Sequence, residues 1–184
     1  MIDSVELFDI AGPVLIKPKV FKDARGLFME SFNKEVFRNK TGIDIDFVQD
    51  NESHSVKNTI RGLHFQAPPF AQAKLVRVVK GAVLDVVVDI RKSSKTYGQW
   101  LAVELNESNH HMFYVPQGFA HGFACLSETC IFQYKCSDYY NKSSEGALFY
   151  ADSVLNIQWG IENPIVSDKD AAANSFLNFN SPFA

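Results

Sequence analysis

From residue 74 onward the chain is written almost entirely in short apolar runs of strand length, each stopped by turn-forming residues. KLVRVVKG (74–81) and AVLDVVVDIR (82–91) are β-branched and meet at Gly81-Ala82, which reads as a hairpin. QWLAVEL (99–105), HMFYVP (111–116), GFACL and CIFQYKC continue the pattern, with KSSKTYG, NESNH and NKSSEG as turns. Short strands at regular spacing point to an all-β antiparallel sandwich or barrel, and a jelly-roll barrel is the expected architecture. An immunoglobulin-like sandwich is the alternative, but no Cys…Trp…Cys spacing supports it. Helix is confined to FNKEVFRNKTG (32–42), with Asn33 as N-cap and Gly42 beyond its end, and SDKDAAAN (167–174), capped by Ser167. The polar stretch before residue 60 reads as a loop. With 184 residues and no repeat or linker, residues 1–184 are expected to form one domain.

Composition narrows the function classes. A formal net charge of −3 gives no general attraction to nucleic acid or an anionic membrane, so an anionic ligand would need local cations. The N-terminal MIDSVELFDI is acidic where a signal peptide is basic, and the apolar stretches are too short to span a bilayer. Cys125, Cys130 and Cys136 lack CxxC spacing, which fits neither a disulfide framework nor a zinc site and suits a reducing cytoplasm. The sixteen phenylalanines are ascribed mainly to a β-rich core, with a few available to line a pocket.

The stretch IRGLHFQ (60–66) concentrates hydrogen-bonding capacity inside a strand pattern. His64 and Gln66 share a face by the period-2 rule; Lys74 alternates with Val76 and Val78, and Tyr134 with Cys130, Phe132 and Cys136. Polar groups on apolar faces are either satisfied core residues or site residues. Tyr134 could donate to a backbone carbonyl, and Asp170, three residues after Ser167, could complete a capping box. Asp85, on a face with Val83, Val87 and Asp89, is a candidate partner for a histidine. PQGFAHGF (116–123) carries PxGxxH, the second half of a metal-cupin signature, but the first half reads His64-Phe65-Gln66 with no glutamate following. Two histidines, a glutamine and the cationic Lys74 make a poor ligand set, so no metal is expected, and Lys74 could act electrostatically in its place.

KVFKDARGLFMESFN, FVQDNESHS, IRGLHFQAPPFAQAKLVRVVKG, VVVDIRKSSKTYGQW, VPQGFAHGFACLSE, YKCSDYYNKSSEGAL and SDKDAAA, in this order, resemble the dTDP-4-dehydrorhamnose 3,5-epimerase family from about residue 10 to about 173. The resemblance implies a cupin-like barrel and epimerisation of a nucleotide-linked 4-keto-6-deoxy sugar at C3, C5 or both, without a cofactor. It further implies a homodimer exchanging N-terminal segments. Matched position by position, His64 falls on the general base, Asp170 on its carboxylate partner, Tyr134 on the acid of the opposite face and Lys74 on the cation near the keto oxygen. Arg25, Glu30, Gln49, Asn51, Arg61, His121, Glu145 and Lys169 match nucleotide- or sugar-contacting positions, and Tyr140 is added to them. The chemistry is coherent, because inversion beside a ketone needs a base and an acid flanking the ring and a donor at the enolate oxygen. The rival readings are a cupin ketoisomerase or metal-dependent oxygenase, and a non-catalytic sugar-nucleotide binder. No role is assigned to the tail after Asn174.

Overall fold

The computed structural model describes residues 1–184. Its strands are β1 (Ile2–Leu7), β2 (Val14–Pro18), β3 (Val20–Asp23), β4 (Gly26–Met29), β5 (Gln49–Val56) and β6 (Ile60–Gln66). There follow β7 (Lys74–Lys80), β8 (Ala82–Asp89), β9 (Trp100–Asn106), β10 (Met112–Val115), β11 (Phe119–Cys125), β12 (Thr129–Cys136) and β13 (Glu145–Ala147). Two antiparallel sheets face each other, in the orders β1-β2-β10-β7-β12-β5 and β13-β6-β11-β8-β9, while β3 and β4 form a separate ribbon. The jelly-roll expectation is met.

The hairpin at Gly81-Ala82 is not. β7 pairs with β10 and β12, whereas β8 pairs with β9 and β11 in the opposite sheet. Gly81 is therefore a corner where the chain changes sheets. Its φ of +79° suits glycine, and a side chain there would collide with the Thr129 carbonyl. A run of β-branched residues reports strands but not their partners, so two adjacent strands can serve different sheets.

Alternation along the strands produces three apolar clusters. Val76, Val78, Phe113, Phe132, Val83, Val87, Phe119 and Phe123 fill the space between the sheets. Ile60, Leu63, Val86, Val88 and Ala120 point outward from the five-stranded sheet. Val14, Ile16, Leu75, Met112 and Tyr114 do so from the six-stranded one. That second outer face is covered by α1 (Lys34–Thr41) through Phe37, with Phe32 and Phe47. Helix α1 carries the expected caps: Asn33 accepts from the Val36 N–H, and Gly42 closes the C-terminus.

The other outer face is covered by the C-terminal third. Leu148, Leu155 and Trp159 pack there together with Phe176, Phe179 and Phe183, so the tail has an architectural role. Asp152 fixes this cover by accepting from the Leu155 and Phe176 N–H groups and the Ser175 hydroxyl, and the Ser181 hydroxyl donates to the Ile90 carbonyl. At one end of the barrel the buried Asp89 accepts from Arg91, Ser94 and Thr96. Burial alone would raise its pKa, but these donors outweigh it and hold the carboxyl at about 2. No helix is long and apolar enough to cross a membrane.

Candidate active site

The stretch expected to be a polar loop is the edge strand β5. Its even-numbered residues, Asp50, Glu52, His54 and Val56, are exposed, while Gln49, Asn51, Ser53 and Ser55 are covered to a greater degree. The strand shows no apolar alternation because one face meets solvent and the other a polar cavity. The period of 2 survives in exposure, not in hydrophobicity.

β6 departs from strict alternation in a way that builds the site. In its pairing with β11, His121 is opposite His64 and Phe123 is opposite Arg61, so three steps on β6 match two on β11. This bulge turns Arg61 and His64, which a regular strand would send to opposite faces, toward the same cavity. The intervening Gly62 has φ +130°, and a Cβ there would lie 2.8 Å from the His121 carbonyl oxygen. Only glycine permits that approach.

Two adjoining cavities of about 540 and 330 Å³ share three lining residues, His64, Lys74 and Tyr134. His64 stands on the five-stranded sheet; Lys74 and Tyr134 stand on the six-stranded sheet facing it. Arg61, Lys169, Asp170 and His121 line the larger cavity, and Gln49, Asn51, Tyr140 and Glu145 the smaller.

Asp170 belongs to α2 (Asp168–Ala171), capped by Ser167, whose side chain accepts from the Asp170 N–H. The reciprocal half of a capping box is not formed. Instead the Asp170 carboxylate accepts from His64 Nε2 at 2.6 Å and from the Gly62 N–H at 3.4 Å. Burial pushes this carboxyl up, but the His64 hydrogen bond and charge, with the Gly62 N–H, hold it below the usual carboxylate range. An ionised partner fixes Nε2 as the donor, which leaves the lone pair on Nδ1.

Lys74 has neither an ion pair nor a hydrogen-bond partner in the protein. Burial pushes its pKa down, opposed only by the fields of Cys136, Asp85 and Glu145. Its Nζ lies 5.7 Å from the centre of the Tyr134 ring. The Tyr134 hydroxyl donates to no backbone carbonyl, and burial pushes its pKa up, so the phenol keeps its proton at neutral pH.

A second His–Asp pair lies deeper. His121 Nε2 is 2.9 Å from both oxygens of Asp85, and its ring is roughly parallel to Phe132 at 6.3 Å. Asp85 is thus the partner of His121, with Asp170 that of His64. Burial pushes the Asp85 carboxyl up against the pull of His121 and Lys74. No three His, Cys, Asp or Glu side chains converge in a ligand set.

Around the mouth, Tyr140 donates to Glu145 at 3.1 Å, Glu145 pairs with Lys169, and Gln49 donates to Asn51 at 3.0 Å. Arg61 donates through Nε to the Ser55 hydroxyl and through Nη2 to the His54 carbonyl. Ser53, Ser55 and Gln72 also belong to the cavity system or its support; the sequence carried no signal for them, because both faces of β5 are polar and Gln72 lies in the connection between β6 and β7. Two expected residues lie elsewhere. Arg25, in the turn of the β3–β4 ribbon, is 90% exposed and bonds only Asp23, while Glu30 binds the N-terminal amine and Asn33.

Residues 8–178 match the dTDP-4-dehydrorhamnose 3,5-epimerase family. The chain belongs to the dTDP-4-dehydrorhamnose 3,5-epimerase family. It is 48% identical over 170 residues to a dTDP-4-dehydrorhamnose 3,5-epimerase of Shigella flexneri, covering 92% of this chain and 94% of that one. Among solved structures it is similar to a dTDP-6-deoxy-D-glucose-3,5-epimerase from Legionella pneumophila in complex with dTDP-4-keto-L-rhamnose. That match has 43% identity and a TM-score of 0.93 over 96% of this chain and 94% of the other. A 3'-monoepimerase from Streptomyces bikiniensis in complex with dTDP-quinovose matches at 32% identity, with a TM-score of 0.89 over 94% and 87% of the two chains. The barrel is accordingly the cupin type of this epimerase family.

Proposed function

We propose that this protein epimerises a dTDP-linked 4-keto-6-deoxy sugar at C3 and C5 by proton abstraction and return through an enolate. The observation that carries this reading is the placement of His64 on one sheet and of Lys74 and Tyr134 on the sheet opposite, all lining both cavities. A ring held between the sheets meets a base on one face and an acid on the other. His64 Nδ1 takes the proton, with Asp170 stabilising the charge left on the imidazole. Lys74 donates to the developing enolate oxygen, and Tyr134 returns a proton from the far side. The 4-keto group already acidifies both neighbouring C–H bonds, so the chain's own residues suffice for each step. Arg61 and Lys169 supply the local cations that a diphosphate requires on a chain of net charge −3. Gln49, Asn51, Tyr140 and Glu145 form the polar rim for the nucleotide or sugar. Three unpaired, buried thiols suit a cytoplasmic setting.

Incubation with a dTDP-4-keto-6-deoxy sugar in heavy water tests the reading. Deuterium at both C3 and C5 with formation of the L-configured product is expected; no incorporation at either carbon would overturn it.

The working unit is a homodimer. A two-stranded ribbon is marginal by itself, yet β3–β4 exposes Phe21, Leu27 and Phe28, the last at 66%. Seating it on a second copy would cover these side chains and carry Arg25 and Glu30 toward the partner's cavity. Light scattering at micromolar concentration should give twice the 20.7 kDa chain mass, and Arg25→Ala should raise KM. A monomer mass with full activity would refute the assembly.

A further inference from the structure

The hydroxyl of Ser53 is the one buried side-chain oxygen or nitrogen in the protein without a hydrogen-bond partner. Ser53 sits on β5 opposite Phe132 and lines the larger cavity with Arg61, His64, Lys74 and Tyr134. Its position along the strand is informative. Two residues before it, Asn51 is opposite Tyr134. Two residues after it, Ser55 accepts from Arg61 Nε at 3.0 Å. At about 3.4 Å per residue, Ser53 lies roughly 7 Å along the strand from each neighbour on its face. It therefore stands between the acid and the guanidinium.

We infer that the Ser53 hydroxyl donates a hydrogen bond to the sugar-proximal phosphoryl group of a nucleoside diphosphate-sugar. This rests on the proposed function and extends it to a residue that the catalytic argument does not use. A buried hydroxyl without a partner is costly, because it loses water and gains nothing in return. Rotation about its single χ1 brings this donor into the cavity. A ring placed between His64 and Tyr134, with its diphosphate reaching Arg61, puts the sugar-proximal phosphoryl alongside the middle of β5. The acceptor there is anionic, so the bond is charge-assisted. Ser55 is a positioning residue for Arg61, and Ser53 touches the ligand itself.

Two readouts test the assignment, calorimetric binding of dTDP and thermal unfolding without ligand. Ser53→Ala removes no bond from the free protein, so its Tm should equal or exceed that of the wild type. It should bind dTDP about 10–100-fold more weakly, the range for losing a hydrogen bond to a charged group, while binding of thymidine, which has no phosphate, stays unchanged. Unaltered dTDP affinity in Ser53→Ala, against a wild type that binds dTDP, would overturn the inference. So would a fall in Tm, which would reveal a structural partner, or an equal loss for thymidine. A wild type that binds no dTDP would instead bring down the proposed function itself.

Discussion

His64→Ala is expected to abolish deuterium wash-in at the sugar carbons, whereas Tyr134→Phe should keep wash-in and lose inversion. The two groups stand on opposite sheets across one cavity, so removing the base stops the reaction before the enolate forms. Removing the phenol leaves abstraction intact, and His64 can return a solvent-exchanged proton to the face from which it came. Epimer formation should fall by about 10²–10⁴-fold in Tyr134→Phe, the usual contribution of one acid–base group. Asp170→Asn should fold normally and lower kcat, because an amide cannot serve as the anionic partner of Nε2. A residue acting only as a helix cap would lower stability with little change in rate. Parallel measurement of isotope exchange and epimer formation decides the matter. If both vanish together in Tyr134→Phe, the phenol belongs with the base or the pocket wall.

Lys74→Met should lower kcat by roughly 10²–10³-fold, as expected for loss of one donor to a developing oxyanion, while dTDP affinity changes little. Its ammonium has no partner in the free protein, and burial has already pushed its pKa down. The sign of the pH effect follows. The charged form is lost at lower pH than for an ordinary lysine, so the alkaline limb of kcat/KM should begin below about 10.4. It should be absent from the residual activity of the methionine variant. Unchanged kcat with a raised KM would make Lys74 a substrate-binding residue.

The strands from β7 to β12 were legible because β-branched and aromatic residues recur with period 2 between turn residues, and α1 because Asn33 and Gly42 mark its ends. The seven ordered blocks named the candidate site residues, and the structure brings all but Arg25 and Glu30 to one pair of cavities or their rim. β5 was missed because both its faces are polar, one for solvent and one for the cavity. The terminal tail was missed because isolated phenylalanines at residues 176, 179 and 183 carry no regular period, although they cover the outer face of a sheet.

What the sequence by itself determined is therefore local: strand and cap positions, and the residue types that proton transfer beside a ketone requires. Only the tertiary structure decided how these meet. It sent β6 and β7 to different sheets across residues 67–73, which put Lys74 opposite His64, and returned the chain to the first sheet at Gly81. It introduced the bulge at Gly62 that turns Arg61 and His64 to one side. It also divided two aspartates between two histidines, Asp170 to His64 and Asp85 to His121. Pairings of this kind join residues separated by 36 and 106 positions. Strand periodicity reports which way a side chain faces but not what lies across from it; that is fixed when the two sheets close on a shared core.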